Sequence, residues 1–309
     1  MRVLVTGGAG YVGWSVVHEL SRREEVDEVV IYDNFARRNY GLLLGNKPSG
    51  RTKIKVTVDD LLNSRALRKA VAPMDCVVHL AAVAPSPDVD EKPHVFDQVN
   101  HWGTAELGYA VEQAGTPRLV YLSSGAVYGH PDGIADTNTE PLPVNAYGRS
   151  KLAGERQLER LNGKLDLRII RSGTIYGVNP ATRFDTFVNR LLLDAVLGRS
   201  LNVHGSGEQV RPVVSVDRVA NKVVDTAIGY TASVLSHAVT ENISVNQVIE
   251  ILKALDTSLD VIYINHQQLL AGLSMVIPSD HFDETTESGR AMPKKLQANF
   301  ERLAINRVR

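Results

Sequence analysis

One cysteine in 309 residues, two tryptophans and a formal net charge of −1 set the first limits on this sequence. A single thiol, Cys76, excludes an internal disulfide framework and cannot build a thiolate metal cage. It stands in the apolar run Cys76-Val77-Val78, the setting of a buried structural thiol rather than a nucleophile. The near-zero net charge gives the whole chain no electrostatic pull toward nucleic acid or an anionic membrane. No stretch is long and apolar enough to span a bilayer as a helix. The apolar pattern starts at Val3, so no cleavable signal peptide is expected and a cytoplasmic location is. The nine histidines lack ligand spacing, and no metal site is expected. Internal repeats and low-complexity segments are absent as well.

What is present is an ordinary globular composition, 43% hydrophobic and 22% charged, in a chain long enough to bury a large core. The first 170 residues alternate short β-branched runs with longer helical patterns. Candidate strands are Val3–Thr6, Glu28–Tyr32, Lys53–Val58, Asp75–Leu80, Arg118–Ser123 and Asp166–Arg171. Between them lie amphipathic segments such as Val12–Arg22, Ser64–Val71, Val95–Gln113 and Tyr147–Leu161. Such alternation, with near-continuous apolar strands, predicts an α/β fold: a Rossmann-like doubly wound parallel sheet covered on both faces. After Arg171 the rhythm changes. Gly173–Pro180 reads as turn-rich, Phe184–Leu197 as helical, Gly205–Gly207 as a turn and Val213–Val216 as a short strand. Helical patterns follow at Val219–Ile228, Val245–Leu255 and Pro293–Ala304. The expected division is a dinucleotide-binding domain over 1–171, with 213–240 returning to it. A smaller, interleaved C-terminal substrate lobe would comprise 172–212 and 241–309.

In a parallel sheet ligands bind outside the carboxyl ends of the strands, so the residues just after each strand carry most of the chemistry. After the first strand comes Thr6-Gly7-Gly8-Ala9-Gly10-Tyr11-Val12-Gly13. Gly8, Gly10 and Gly13 satisfy G-x-G-x-x-G, and Gly7, Gly10 and Gly13 satisfy G-x-x-G-x-x-G. A Cβ would block the tight turn and the backbone's approach to a pyrophosphate. The first helical turn, with Tyr11 and Val12, would offer free N–H groups and a positive dipole end. Asp33, with Asn34 beside it, ends the second strand twenty residues after Gly13, where an acid would accept hydrogen bonds from both ribose hydroxyls. A carboxylate there repels a 2′-phosphate, which favours NAD over NADP. Arg37 and Arg38 could accommodate that phosphate but read more simply as a solvated basic turn. Asp60-Leu61 would meet the adenine edge. In His79-Leu80-Ala81-Ala82, the small residues would let the backbone pass close to the cofactor.

Tyr147-Gly148-Arg149-Ser150-Lys151 places a phenol and an ammonium four residues apart on one helical face, with Asn145 able to cap that helix. A nearby Lys151 cation and a positive nicotinamide ring would lower the phenol from its ordinary pKa of about 10, making it a usable acid or base. Lys151 would also hold the nicotinamide ribose. Upstream, a strand ends in Ser123-Ser124, and Ser124 could hydrogen-bond the reacting sugar group and share its proton with Tyr147.

Thr6–Gly13, Asp33, His79–Ala82, Val99-Asn100…Gly103-Thr104, Ser123–Gly129 and Tyr147…Lys151 resemble, in order and spacing, the extended short-chain dehydrogenase/reductases. The group most similar is the NAD-dependent epimerase/dehydratases of nucleotide sugars. The resemblance runs from residue 1 to about 222 and weakens over the last eighty residues. It implies that Asn100 helps position the active site, that Ser124 and Tyr147 move protons, and that Lys151 orients ribose and phenol. Gly205–Asp217 resembles the segment with which the family holds a nucleotide diphosphate, which implies Arg211 as a phosphate ligand and leaves Asp217 as a helix cap. Thr174 stands where many relatives carry an asparagine against the phosphate, and Arg290 is a further phosphate candidate. Pro212 and Ser215 depart from an aspartate and a histidine frequent in the group. Sugar dehydratases of the family carry an acid pair where this chain has Gly125 and Ala126, so dehydration is disfavoured. The expectation is epimerisation of a nucleotide-diphosphate sugar, at C4, with NAD. The runner-up is an NAD(P)H-dependent reductase of a nucleotide-linked keto-deoxy sugar. A reading from another class, a non-catalytic dinucleotide-binding regulator, has no use for the Ser124/Tyr147/Lys151 set. The segments Val95–Gln113 and Tyr147–Leu161 match the family's four-helix dimer contact, which implies a homodimer.

Overall fold

The computed structural model describes residues 1–42, 51–85, 93–131, 133–229, 233–264 and 291–304. Alternation in the first half gives β1 (Arg2–Thr6), α1 (Tyr11–Leu20), β2 (Glu28–Asp33), β3 (Lys53–Val58), α2 (Ser64–Val71) and β4 (Cys76–His79). A helical stretch follows as α3 (Pro93–Phe96), a π-helical turn (Asp97–Trp102) and α4 (Gly103–Ala114). Next come β5 (Arg118–Ser124), α5 (Ala146–Glu159) and β6 (Asp166–Ser172). These six strands and a later one, β10 (Leu235–Ala238), form one parallel sheet in the order β10-β6-β5-β4-β1-β2-β3.

Period-2 alternation on its strands feeds two separate cores. Val3 and Val5 of β1 point to the layer of α1 and of α7 (Val216–Ile228), where they meet Val16, Leu20, Val219 and Val223. Leu4 points to the opposite layer, with Leu67 of α2, Leu107 of α4 and Leu158 of α5. Cys76 is wholly buried, and burial pushes its thiol up to about 12, which leaves it inert at neutral pH.

Beyond Ser172 lie β7 (Thr174–Tyr176), α6 (Phe187–Val196), β8 (Leu201–His204), β9 (Val210–Ser215), β11 (Glu241–Ser244), α8 (Val245–Leu255), β12 (Val261–Ile264) and α9 (Ala291–Ala304). They make two small sheets, β11-β9-β7 and β12-β8, around a third core that includes Leu192, Val203, Val248 and Leu296.

Three local expectations need correction. The stretch Gly173–Pro180 is not all turn, because Thr174–Tyr176 pairs in parallel with Val213–Ser215 of β9. That pairing is long-range, and three residues carry too little periodicity to announce it. Secondly, β9 starts at Val210, so Arg211 and Pro212 lie within the strand, paired with Ile243 and Asn242. Thirdly, α7 is capped by Ser215, whose hydroxyl accepts from the Arg218 N–H, and not by Asp217. Asp217 sits in the first turn, where its charge suits the helix dipole, and forms an ion pair with Lys295.

Candidate active site

The Gly-rich crossover is fixed by contacts that exclude side chains. Gly7 has φ +70°, and a Cβ there would stand 2.6 Å from the Ala81 backbone nitrogen. At Gly13 a Cβ would meet the Gly7 carbonyl at 2.1 Å, which is how α1 seats against the turn. A Cβ on Gly10 would meet only that same carbonyl, at 3.2 Å. Gly10 is also the N-cap of α1 and supplies no capping side chain, so no side chain occupies the first helical N–H groups, those of Tyr11 and Val12 among them, a geometry that suits an anion. The phenol of Tyr11 points elsewhere: it donates to the Gly177 carbonyl at 2.6 Å and accepts from Asn189 at 3.2 Å.

Asp33 accepts from the Ala9 N–H (2.9 Å) and from the Phe35 N–H (2.8 Å), tying the end of β2 to the glycine turn. A carboxylate has lone pairs for further donors. Asn34 donates to Asp60 at 2.8 Å, joining the loops after β2 and β3. Leu61 is buried, and a Cβ on Gly103 would meet its side chain at 2.6 Å. Leu80, Ala81 and Ala82 run half-buried beside the glycine turn. Crossover glycines, helix terminus and ribose-type acid thus converge in a cradle that suits a dinucleotide.

A chain of buried polar groups leads from this cradle to the next site. Thr104 donates its hydroxyl to the Asn100 carbonyl (2.7 Å), so toward His79 Nε2 (2.9 Å) it can only accept. His79 is therefore an Nε2–H tautomer, and its Nδ1 accepts from Thr6 at 2.7 Å. Burial pushes this imidazole down to about 3, with the Lys151 cation adding to the shift. Asn100 is 1% exposed within the π-helical turn, a distortion frequent at functional sites. Its amide accepts from the Val83 N–H and donates to the Val83 carbonyl, both at 2.8 Å. It also donates to Ser150 (3.0 Å), which donates in turn to the Tyr147 carbonyl (2.8 Å).

On α5, capped by Asn145 through the Gly148 N–H (2.7 Å), Tyr147 and Lys151 come one turn apart. Lys151 donates to the Leu122 carbonyl at 2.8 Å and lies 4.2 Å from the Tyr121 ring centroid. It is 3% exposed, and burial brings its ammonium down to about 7. Ser124, at the end of β5, accepts from the Ala126 N–H at 3.2 Å and draws the Tyr147 phenol down. The Ser123 hydroxyl is buried with no hydrogen-bond partner among the described residues.

The Lys151 part of one electrostatic expectation needs correction. The Tyr147 phenol is held above its ordinary value by burial, not below it. Ser124 and then the Arg183 guanidinium pull it back down, and Lys151 is not among the groups acting on it. The ammonium is turned to the Leu122 carbonyl instead. Arg183 is a residue the sequence reading missed. It grips Asp185 through Nε (3.0 Å) and Nη2 (2.7 Å) and donates to the Pro85 carbonyl (2.8 Å). No motif marks it, since it reaches Tyr147 only through the fold. Glu155 was missed as well, although its place four residues after Lys151 is readable.

The proposed substrate residues lie across the junction between sheets. Ser124 pairs in register with Ser172, and Thr174 follows two residues later beside Val213. Gly173 makes that junction: its N–H donates to the Ala238 carbonyl, and a Cβ would stand 2.6 Å from the Pro212 carbonyl oxygen. Arg211 is half-buried two residues before Val213, burial alone lowers its guanidinium, and it has no ion-pair partner among the described residues. Arg290 lies outside the described residues. A polar cleft bounded by Glu208, Asn246, Lys253 and Tyr263 shares no residue with the Ser124–Tyr147–Lys151 cluster.

A parallel sheet with a glycine-rich first crossover and a serine, tyrosine and lysine at its carboxyl edge defines the extended short-chain dehydrogenase/reductase class. The family model described as the NAD dependent epimerase/dehydratase family matches residues 3–228, and the chain belongs to that family. Among similar proteins, a UDP-glucose 4-epimerase of Azospirillum brasilense is 30% identical over 209 residues, 64% of this chain and 58% of that one. A dTDP-glucose 4,6-dehydratase of Mycobacterium tuberculosis is 27% identical over 255 residues, 79% of this chain and 75% of that one. The solved structure of MoeE5 in complex with UDP-glucuronic acid and NAD superposes with a TM-score of 0.78 at 27% identity. It covers 97% of this chain and 98% of MoeE5.

Proposed function

We propose that this protein epimerises a nucleotide-diphosphate sugar at C4 with bound NAD. The observation that carries the reading is the placing of Ser124 at the end of β5 and Tyr147 on α5, where the serine draws the phenol down, with Gly125 and Ala126 next in the chain. Those two residues cannot exchange protons, so one phenol is left to serve the reacting hydroxyl, and dehydration lacks its acid and base. Named relatives that act as sugar 4-epimerases support the same choice.

The residues suited to the cofactor are Gly7, Gly10, Tyr11, Val12 and Gly13 at the pyrophosphate and Asp33 with Asn34 at the adenosine ribose. Asp60, Leu61, Leu80, Ala81 and Ala82 suit its flanks, and Asn100, Ser123, Tyr147 and Lys151 its nicotinamide end. NAD, when bound, supplies the hydride acceptor and donor for the sugar carbon. Tyr147 takes the hydroxyl proton as the sugar is oxidised and returns it after the ketone has turned over. Ser124 steers that oxygen and lowers the phenol toward working range. Thr174 and Arg211 hold the diphosphate, Arg211 through a charged planar fork.

The accompanying division is a cofactor lobe over 1–171 and 213–240 and a substrate lobe over 172–212 and 241–309. The molecule works as a cytoplasmic homodimer through α4 and α5, whose exposed Tyr109 and the neighbouring Trp102 are about half exposed in the single chain. Light scattering at micromolar concentration tests the dimer, and a monomeric mass would refute it.

The deciding experiment identifies the cofactor released from purified protein, then incubates the protein with UDP-, GDP- and dTDP-sugars while NADH absorbance is followed. An isomeric sugar without net NADH change is the expected result. Reduction of keto-sugars with stoichiometric NAD(P)H consumption would replace this reading with the reductase.

A further inference from the structure

We propose that Glu155, clamped by Arg171, is a positioning residue that holds Lys151 in its charged form beside the candidate catalytic tyrosine. Glu155 and Lys151 stand one turn apart on the inward face of α5, 1% and 3% exposed. They are not a solvated surface pair. The inference rests on the epimerase reading only for the use made of the lysine's charge.

The surroundings of Lys151 give it little reason to stay protonated. From β5 it faces the Leu122 carbonyl and the ring of Tyr121, whose own phenol is held well above its usual range by burial. From β4 comes the neutral imidazole of His79, and from α5 itself the phenol of Tyr147 one turn earlier. A buried ammonium among neutral groups loses its proton easily. Among the described residues, Glu155 is the charge that opposes this loss, one turn along the same helix.

Arg171 on β6 fixes the Glu155 carboxylate with a two-pronged grip, Nη2 to Oε2 at 2.6 Å and Nε to Oε1 at 3.1 Å. The guanidinium is itself buried and lies 4.7 Å over the ring of Tyr128, whose hydroxyl meets His237 Nε2 at 2.7 Å. The layout is a charge relay from the edge strand inward: β10 backs Tyr128, Tyr128 backs Arg171, Arg171 fixes Glu155, and Glu155 holds the proton on Lys151. A buried ion pair is poor value as a mere tie between α5 and β6, because a well-packed apolar pair serves as well. Its place one turn from Lys151 gives it a use that an apolar pair cannot have.

The test follows the Cε resonance of Lys151 by NMR in protein carrying carbon-13 lysine, assigned by its loss in Lys151→Arg, as pH is raised. No substrate is needed, so an inactive sugar panel and a failed relay are distinguishable. In Glu155→Gln the titration midpoint should fall by about one pH unit or more. In Glu155→Asp, which keeps the charge, it should stay within about half a unit of the parent. The alkaline limb of kcat on the identified sugar should move down in Glu155→Gln by the same amount. If Glu155→Gln fails to fold with Arg171 left unpaired, Glu155→Gln/Arg171→Met removes both charges and should still lower the midpoint, though by less, because Glu155 is the member of the pair on the helix of Lys151, one turn away. A folded Glu155→Gln or double variant with an unmoved midpoint overturns the proposal.

Discussion

Strands β1, β2, β4, β5 and β6 of the large sheet run four to seven residues, mostly buried, and each pairs with its neighbours in parallel register. The small lobe instead joins β7 to β9 over three residues and β12 to β8 over four, so that its sheets are little more than ribbons. The glycines differ in the same way. Gly13 is packed against backbone, with a Cβ 2.1 Å from the Gly7 carbonyl, whereas a Cβ on Gly207 meets only the Asn246 side chain, at 2.0 Å. The comparison sets glycines locked by backbone in the large sheet's crossover against one met by a side chain in the small lobe, and it predicts that the first tolerates substitution less.

Four substitutions would sharpen or break that contrast. The largest effect is expected in the large-sheet half, from Tyr147→Phe: kcat lower by about 10²–10⁴-fold with unchanged thermal unfolding and unchanged retained cofactor. Normal turnover would remove the phenol from the chemistry. Second is Gly13→Ala, where a backbone clash should cost about 3 kcal/mol in urea unfolding and reduce cofactor retained through purification. A loss near zero would show that the crossover yields after all. Third, in the small lobe, Arg211→Met should raise KM for the sugar nucleotide about 10- to 100-fold with a smaller change in kcat, the loss of one charged hydrogen-bonding group. An equal fall in kcat at constant KM would move Arg211 from holding substrate to the transition state. The smallest effect belongs to Gly207→Ala, about 1–2 kcal/mol from its φ of +78°, since the Asn246 amide can rotate aside. Equal costs at Gly13 and Gly207, by the same unfolding measurement, would erase the difference between the lobes.

Most of the geometry on the candidate cofactor side was legible in advance because it is local. Gly7 to Gly13 sit within one turn, Asp33 ends the very next strand, and Tyr147 to Lys151 is one helical turn capped by Asn145. What escaped was electrostatic or long-range. The phenol's upward displacement comes from burial, which no spacing reports. Arg183 reaches Tyr147 from a loop thirty-six residues downstream. β7 exists only because β9 lies beside it.

The sequence by itself determined the parallel sheet, the glycine crossover with its acid and the phenol–ammonium pair, because each is written in period-2 runs, in backbone positions that admit no Cβ, or in i, i+4 spacing. Only the tertiary structure decided which charges those groups feel. Lys151 turns to the Leu122 carbonyl and not to Tyr147, Arg171 crosses from β6 to hold Glu155, and His79 is fixed as a neutral tautomer between Thr6 and Thr104. The reason is physical: a charge buried at low dielectric answers to its neighbours in space, and for a parallel sheet those neighbours come from strands dozens of residues apart.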